Sequence, residues 1–129
     1  MRRWIWIVGI VVLLGITLLF LRGDEDSWLR FGKNGYQIHG KAIAIPDFSY
    51  EQNESLKCAY QLYSAAMDKY GELNSECIGK CGDYSVDIVH YPRIKEDDLP
   101  QNQCSDFANG ITTKFIEMNN YGDLIRISG

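Results

Sequence analysis

Positive charge is scarce in most of this chain. The sequence holds 13 Lys and Arg against 17 Asp and Glu. Arg2, Arg3 and Arg22 fall in the first 22 residues, which leaves 10 basic residues against 17 acidic ones from Asp24 onward, a formal charge of −7. An acidic domain repels phosphate backbones and anionic headgroups, so nucleic acid is excluded as a partner. Histidine is also scarce, with His39 and His90 alone. No nucleophile-elbow pattern accompanies them, so each is expected as a surface or partly buried side chain. Repeats at a solenoid period and low-complexity tracts are absent. So are the 12-residue spacing and glycine of a calcium loop, which leaves Asp24-Glu25-Asp26 and Glu96-Asp97-Asp98 as solvated loop charge. No catalytic motif is found, and no cofactor is expected.

What is present first is an uncharged run of 18 residues, Trp4 to Leu21. As a helix it would be about 27 Å long, close to the hydrocarbon thickness of a bilayer. Residues 1–22 are therefore expected to form a single-pass transmembrane anchor that meets the lipid bilayer through residues 4–21. Trp4 and Trp6 suit the headgroup level at one end. Arg2 and Arg3 precede the run and an acidic triplet follows it. This predicts a cytoplasmic amino terminus and an extracytoplasmic carboxy-terminal domain, although Arg22, Arg30 and Lys33 dilute the asymmetry. A cleaved signal peptide fits less well, because the apolar core exceeds about 15 residues and no Ala-x-Ala pair precedes a cut, so an uncleaved signal-anchor is expected. Gly9 and Gly15 do not make a Gly-x-x-x-Gly motif, and no dimer is expected from the span.

All four cysteines, Cys58, Cys77, Cys81 and Cys104, lie beyond the run. An even set in a small domain outside the cytoplasm predicts two disulfides, with three pairings open. Two alternatives use the same residues. Cys77-Ile-Gly-Lys-Cys81 could be a membrane-tethered thiol–disulfide pair, although redox motifs place two residues between their cysteines and the first at a helix start. The four cysteines, with His90 or His39 in exchange for one, could bind zinc in a cytoplasmic-facing domain, although only one short Cys pair exists.

Residues 23–35 are expected as a juxtamembrane linker and 36–129 as one small cysteine-containing domain. Tyr36 to Ile45 alternates loosely and predicts a strand, with Gly40 as a bend. Ser49 and Gln52 match a capping box. They open a helix from about Tyr50 to Tyr70, stopped by Gly71. Its expected core stripe is Leu56, Ala59, Tyr60, Tyr63, Ala66, Met67 and Tyr70. Cys58 lies on the opposite side, placed to bridge a covering loop. Asn74 to Asp83 is expected as a loop, Tyr84 to Tyr91 as a strand, and 93–109 as a long loop of functional interest. Ile111 to Met118 and Leu124 to Ile127 read as a hairpin. Asn53-Glu54-Ser55 fits the glycosylation acceptor pattern.

The order strand-helix-strand-strand-strand predicts an α+β domain with one helix on a mainly antiparallel sheet, its last three strands antiparallel and adjacent. Cystatin-like domains are similar in that outline, which implies architecture alone, because no inhibitory motif matches. Taken together, the expected protein is membrane-anchored and displays a disulfide-braced extracytoplasmic domain for protein binding or assembly. The many tyrosines suit a protein partner.

Overall fold

The computed structural model describes residues 7–12, 27–31, 34–40 and 45–129. Local signals define the one long helix among the described residues, α1 (Tyr50–Tyr70). Ser49 accepts from the Gln52 backbone N–H at 3.2 Å while the Gln52 side chain accepts from Ser49 N–H at 2.9 Å. Both caps satisfy backbone donors that the first turn leaves free. Gly71 ends the helix at φ 77°, with its N–H on the Met67 carbonyl. Gln52 is buried and its amide also donates to the Asn34 carbonyl at 2.7 Å. The helix start is thus tied to the sheet.

Six strands form one sheet: β1 (Ser27–Phe31), β2 (Gly35–His39), β3 (Glu76–Cys81), β4 (Tyr84–Ile88), β5 (Lys114–Met118) and β6 (Leu124–Ile127). The spatial order is β1-β2-β6-β5-β4-β3. Every neighbouring pair is antiparallel except β4–β5, which is parallel. The chain between those two must therefore cross back along the sheet. It does so through two 3₁₀ turns, Lys95–Asp98 and Pro100–Asn102, and the short helix α2 (Ser105–Ala108).

Period-two alternation splits the sheet into two unlike faces. Tyr84, Val86, Ile88, Ile116, Met118 and Ile127 point to one face and join Leu56 and Ala59 of α1 in the apolar core. Ser85, Asp87, Phe115, Glu117 and Arg126 point to the other, under the crossover.

β3 is stitched to both faces. Cys58 of α1 bonds Cys81, and Cys104 of the crossover bonds Cys77. In a regular strand Cys77 and Cys81 would share a face. Here Cys77 pairs with Asp87 and Gly79 with Val86, so Ile78 is an extra residue. This bulge reverses the alternation and sends the two cysteines to opposite sides. Gly79 sits in the bulge at φ 141°, where an added Cβ would lie 3.1 Å from Leu62.

Several expectations are corrected. Among the described residues no helix is long and apolar enough to cross a membrane. The N-terminal transmembrane helix is thus overturned. Residues 7–12 are helical there, and apolarity alone does not specify a membrane span. The remainder of the expected anchor lies outside the described residues. The stretch 23–35 contains β1, paired to β2 along its length. The expected loop from Asn74 contains β3. The last three strands are not all antiparallel, because β5 runs alongside β4.

Of the expected helix stripe, Leu56 and Ala59 are buried and Tyr63, Ala66 and Met67 pack against the core, whereas Tyr60 and Tyr70 are exposed. Gln52 and Ser55 are buried in the first turns instead. Cys58 packs against the core and bonds a strand, not a covering loop.

Candidate functional site

The helix side carries an open groove of about 940 Å³. Trp28 and Ile38 come from β1 and β2, Phe48 precedes α1, and Leu56 and Tyr60 come from α1 itself. Tyr91, just after β4, closes one side, and its hydroxyl accepts the Gly40 N–H at 3.0 Å. Trp28 meets Phe48 edge to face with centroids 6.3 Å apart. Its indole N–H is buried without an acceptor among the described residues. The polar rim is Asn53, Lys57, Asn119 and Asp123. Burial first, and the Asp123 carboxylate second, push the Tyr60 phenol above its ordinary pKa, so its hydroxyl remains a donor at neutral pH.

The crossover face carries a smaller cavity of about 210 Å³. Across the middle strands Asp87 pairs with Glu117, and Glu117 with Arg126. Like charges side by side on one sheet face are unfavourable. The crossover supplies Arg93, whose guanidinium reaches Glu117 at 2.8 Å and Asp98 at 2.9 Å. Asp87 is left with a buried Oδ1 that has no hydrogen-bond partner among the described residues. Burial first, then the Glu117 carboxylate, push Asp87 up to about 7, against the opposing pull of Arg93. Above this row, the Ser85 and Thr112 hydroxyls bond at 2.6 Å.

The crossover is pinned by a third carboxylate. Asp97 is fully buried and accepts the His90 and Ile94 backbone N–H groups at 3.1 and 2.9 Å. Its Oδ1 also lies 2.9 Å from His90 Nδ1. Burial alone would raise the Asp97 pKa, but the Ile94 and His90 donors outweigh it and hold the carboxyl below its ordinary value. Asp97 is thus a local brace, and His90 is one of its partners.

The four candidate cysteines fall in two pairs at separate places. Cys77 and Cys81 are not bonded to each other, and no described cysteine is free. The thiol–disulfide reading of that pair loses its geometry. Sulfurs held in disulfides are not thiolate ligands, and the described residues hold no group of three or more His, Cys, Asp or Glu suited to a metal ion. His39 lies on β2 and is exposed, whereas His90 lies just beyond the end of β4. The Asn53 amide donates to the Phe48 carbonyl at 3.0 Å in the first turn of α1.

Sequence reasoning overlooked Asp87, Glu117, Arg93 and Arg126 as a set. One signal was available. Asp87 and Glu117 each interrupt a strand that is otherwise apolar on alternate positions, and a charge inside such a strand needs a partner.

No family model, no curated protein and no solved structure matches this chain. What the fold defines is a small α+β domain with one long helix, a six-stranded sheet and two disulfides.

Proposed function

We propose that this domain is a binding module of an oxidising, extracytoplasmic compartment. Its partner is a protein that lays an apolar segment flanked by basic residues into the groove beside α1. The groove carries the reading. It is lined mainly by aromatic and aliphatic side chains, with a few polar groups at the rim, the usual composition of a recognition site. Tyr60 and Tyr91 remain 46% and 41% exposed at its edge, and Tyr supplies contact area with little rotamer loss. The formal charge of −7 beyond residue 23 favours basic flanks on the partner. Two disulfides with no free described cysteine support the compartment, because such bonds persist where thiols are not kept reduced.

The test is selection from a displayed peptide library with the oxidised full-length protein. Apolar cores with Lys or Arg flanks should be enriched over the same cores with Asp or Glu flanks. Tyr60→Asp should weaken the selected peptides at least about tenfold, and Lys69→Ala at the far end of α1 should not. Enrichment indifferent to both flank charge and Tyr60→Asp would sink the proposal.

A further inference from the structure

We infer that the cavity on the crossover face binds a small zwitterion that carries an ammonium and a carboxylate group, an α-amino acid being the simplest. The inference is independent of the groove on the other face. Two unsatisfied groups of opposite kind line this one cavity. Asp87 is 7% exposed and its Oδ1 has no hydrogen-bond partner among the described residues. Arg126 holds its guanidinium 4.5 Å from the Phe31 centroid and 4.7 Å from that of Phe115, and its buried Nε has no acceptor among the described residues. Buried polar groups in folded proteins are rarely left in that condition. An occupant that satisfies both must bring a donor to one and an acceptor to the other.

Charge selects among such occupants. Water has both functions but no charge. Hydrogen bonds between ionised partners are roughly twice as strong as neutral ones, so an ammonium suits Asp87 and a carboxylate suits Arg126. Glu117 stands between them in the register, and Arg93 already engages it. It therefore competes weakly for the ligand's ammonium group. The cavity of about 210 Å³ corresponds to roughly seven waters of liquid, the scale of a small amino acid. Phe107 and Phe115 meet edge to face at 5.5 Å and give the ligand an apolar wall. Cys104 also lines the cavity and is bonded to Cys77, which fixes the roof to β3 before any ligand arrives. Such preorganisation lowers the cost of binding.

The experiment is isothermal titration of the oxidised full-length protein with small α-amino acids. Matched amines lacking the carboxylate, and matched acids lacking the amine, serve as comparison ligands. At least one α-amino acid should bind in the micromolar to millimolar range, and both matched analogues should bind at least about tenfold more weakly. Asp87→Asn and Arg126→Gln should each weaken the amino acid by a similar factor, whereas Lys69→Ala leaves it unchanged. No binding by any α-amino acid at millimolar concentration would overturn the inference and leave ordered water as the occupant. Equal binding of the amine alone would also overturn it. If Arg126→Gln fails to fold, the matched-ligand comparison on the unaltered chain decides the matter.

Discussion

The two faces of the sheet solve the problem of burial in different ways. On the helix face, Val86, Ile88, Ile116, Met118 and Ile127 have essentially no exposure and join Leu56 and Ala59 of α1 in one apolar cluster. On the crossover face, the same strands bury Ser85, Asp87 and Glu117 beneath 3₁₀ turns and a four-residue helix. The first face gains from area removed from water, which is non-directional and tolerant of detail. The second depends on hydrogen bonds and ion pairs, where each missing partner is costly. Glu117 has Arg93, Asp97 has three donors, and the Asp87 Oδ1 has none among the described residues. Stability is concentrated on one face and chemical specificity on the other, and β3 is bonded to both.

The bonds at β3 allow the strongest perturbation. The two disulfides close separations of 23 and 27 residues, so in the chain-entropy account each is worth about 3.5 kcal/mol. Cys58→Ala with Cys81→Ala, and Cys77→Ala with Cys104→Ala, should cost nearly the same in urea unfolding. The second pair should loosen the crossover alone, read as hydrogen exchange in residues 93–109 with Val86 and Ile116 still protected. Equal loss of protection on both faces would show that the faces are not separable. A single core change comes next. Ile116→Ala should cost about 3 kcal/mol, because Ile116 is fully buried and the space it leaves cannot collapse. Phe107→Ala, at a side chain 40% exposed on the crossover, should cost about 1 kcal/mol. A reversed ranking would overturn the division of labour.

Asp97→Asn should cost about 2 kcal/mol, because an amide cannot accept from all of the donors that face the carboxylate. The sign of its pH dependence follows from the lowered pKa. The contribution is present above the unfolded value of about 3.9 and disappears as pH falls through the lower folded value. Unfolding measured between pH 5 and pH 2 should show the unaltered protein losing this increment, while the variant does not. Parallel curves would remove Asp97 from its role as a brace.

What the sequence disclosed follows the range of the forces involved. Ser49, Gln52 and Gly71 act within a turn, and α1 begins and ends where they place it. Strands β4, β5 and β6 carry the alternation that marks them, although β4 ends at Ile88 and β5 begins only at Lys114. β3 was concealed because it is an edge strand with a bulge, and Gly79 breaks its pattern. β1 was concealed by proximity to the apolar run, which made Trp28 and Phe31 look like parts of a linker. The parallel pairing depends on the path of residues 89–113, and no local signal sets it. The disulfide pairing depends on the bulge at Ile78, because one residue decides which face Cys77 meets. The Asp87 cavity was least visible of all, since its members come from three strands and the crossover.

The effect expected at Asp87 is the most discriminating, because it has the opposite sign. Asp87 is raised to about 7 by burial and by Glu117, with Asp97 adding to the rise and Arg93 resisting it. A raised carboxyl favours folding most when it is protonated. Its contribution is complete below the unfolded value of about 3.9 and is lost as pH rises through about 7. Asp87→Asn keeps the shape and removes the ionisation. The variant should match the unaltered protein near pH 4 and exceed it by up to about 4 kcal/mol near pH 8. Thermal unfolding at both pH values measures the difference directly. A variant less stable at pH 8 would mean that the ionised carboxylate is already satisfied in the folded chain, and the contrast between an orphaned Asp87 and a well-braced Asp97 would fall with it.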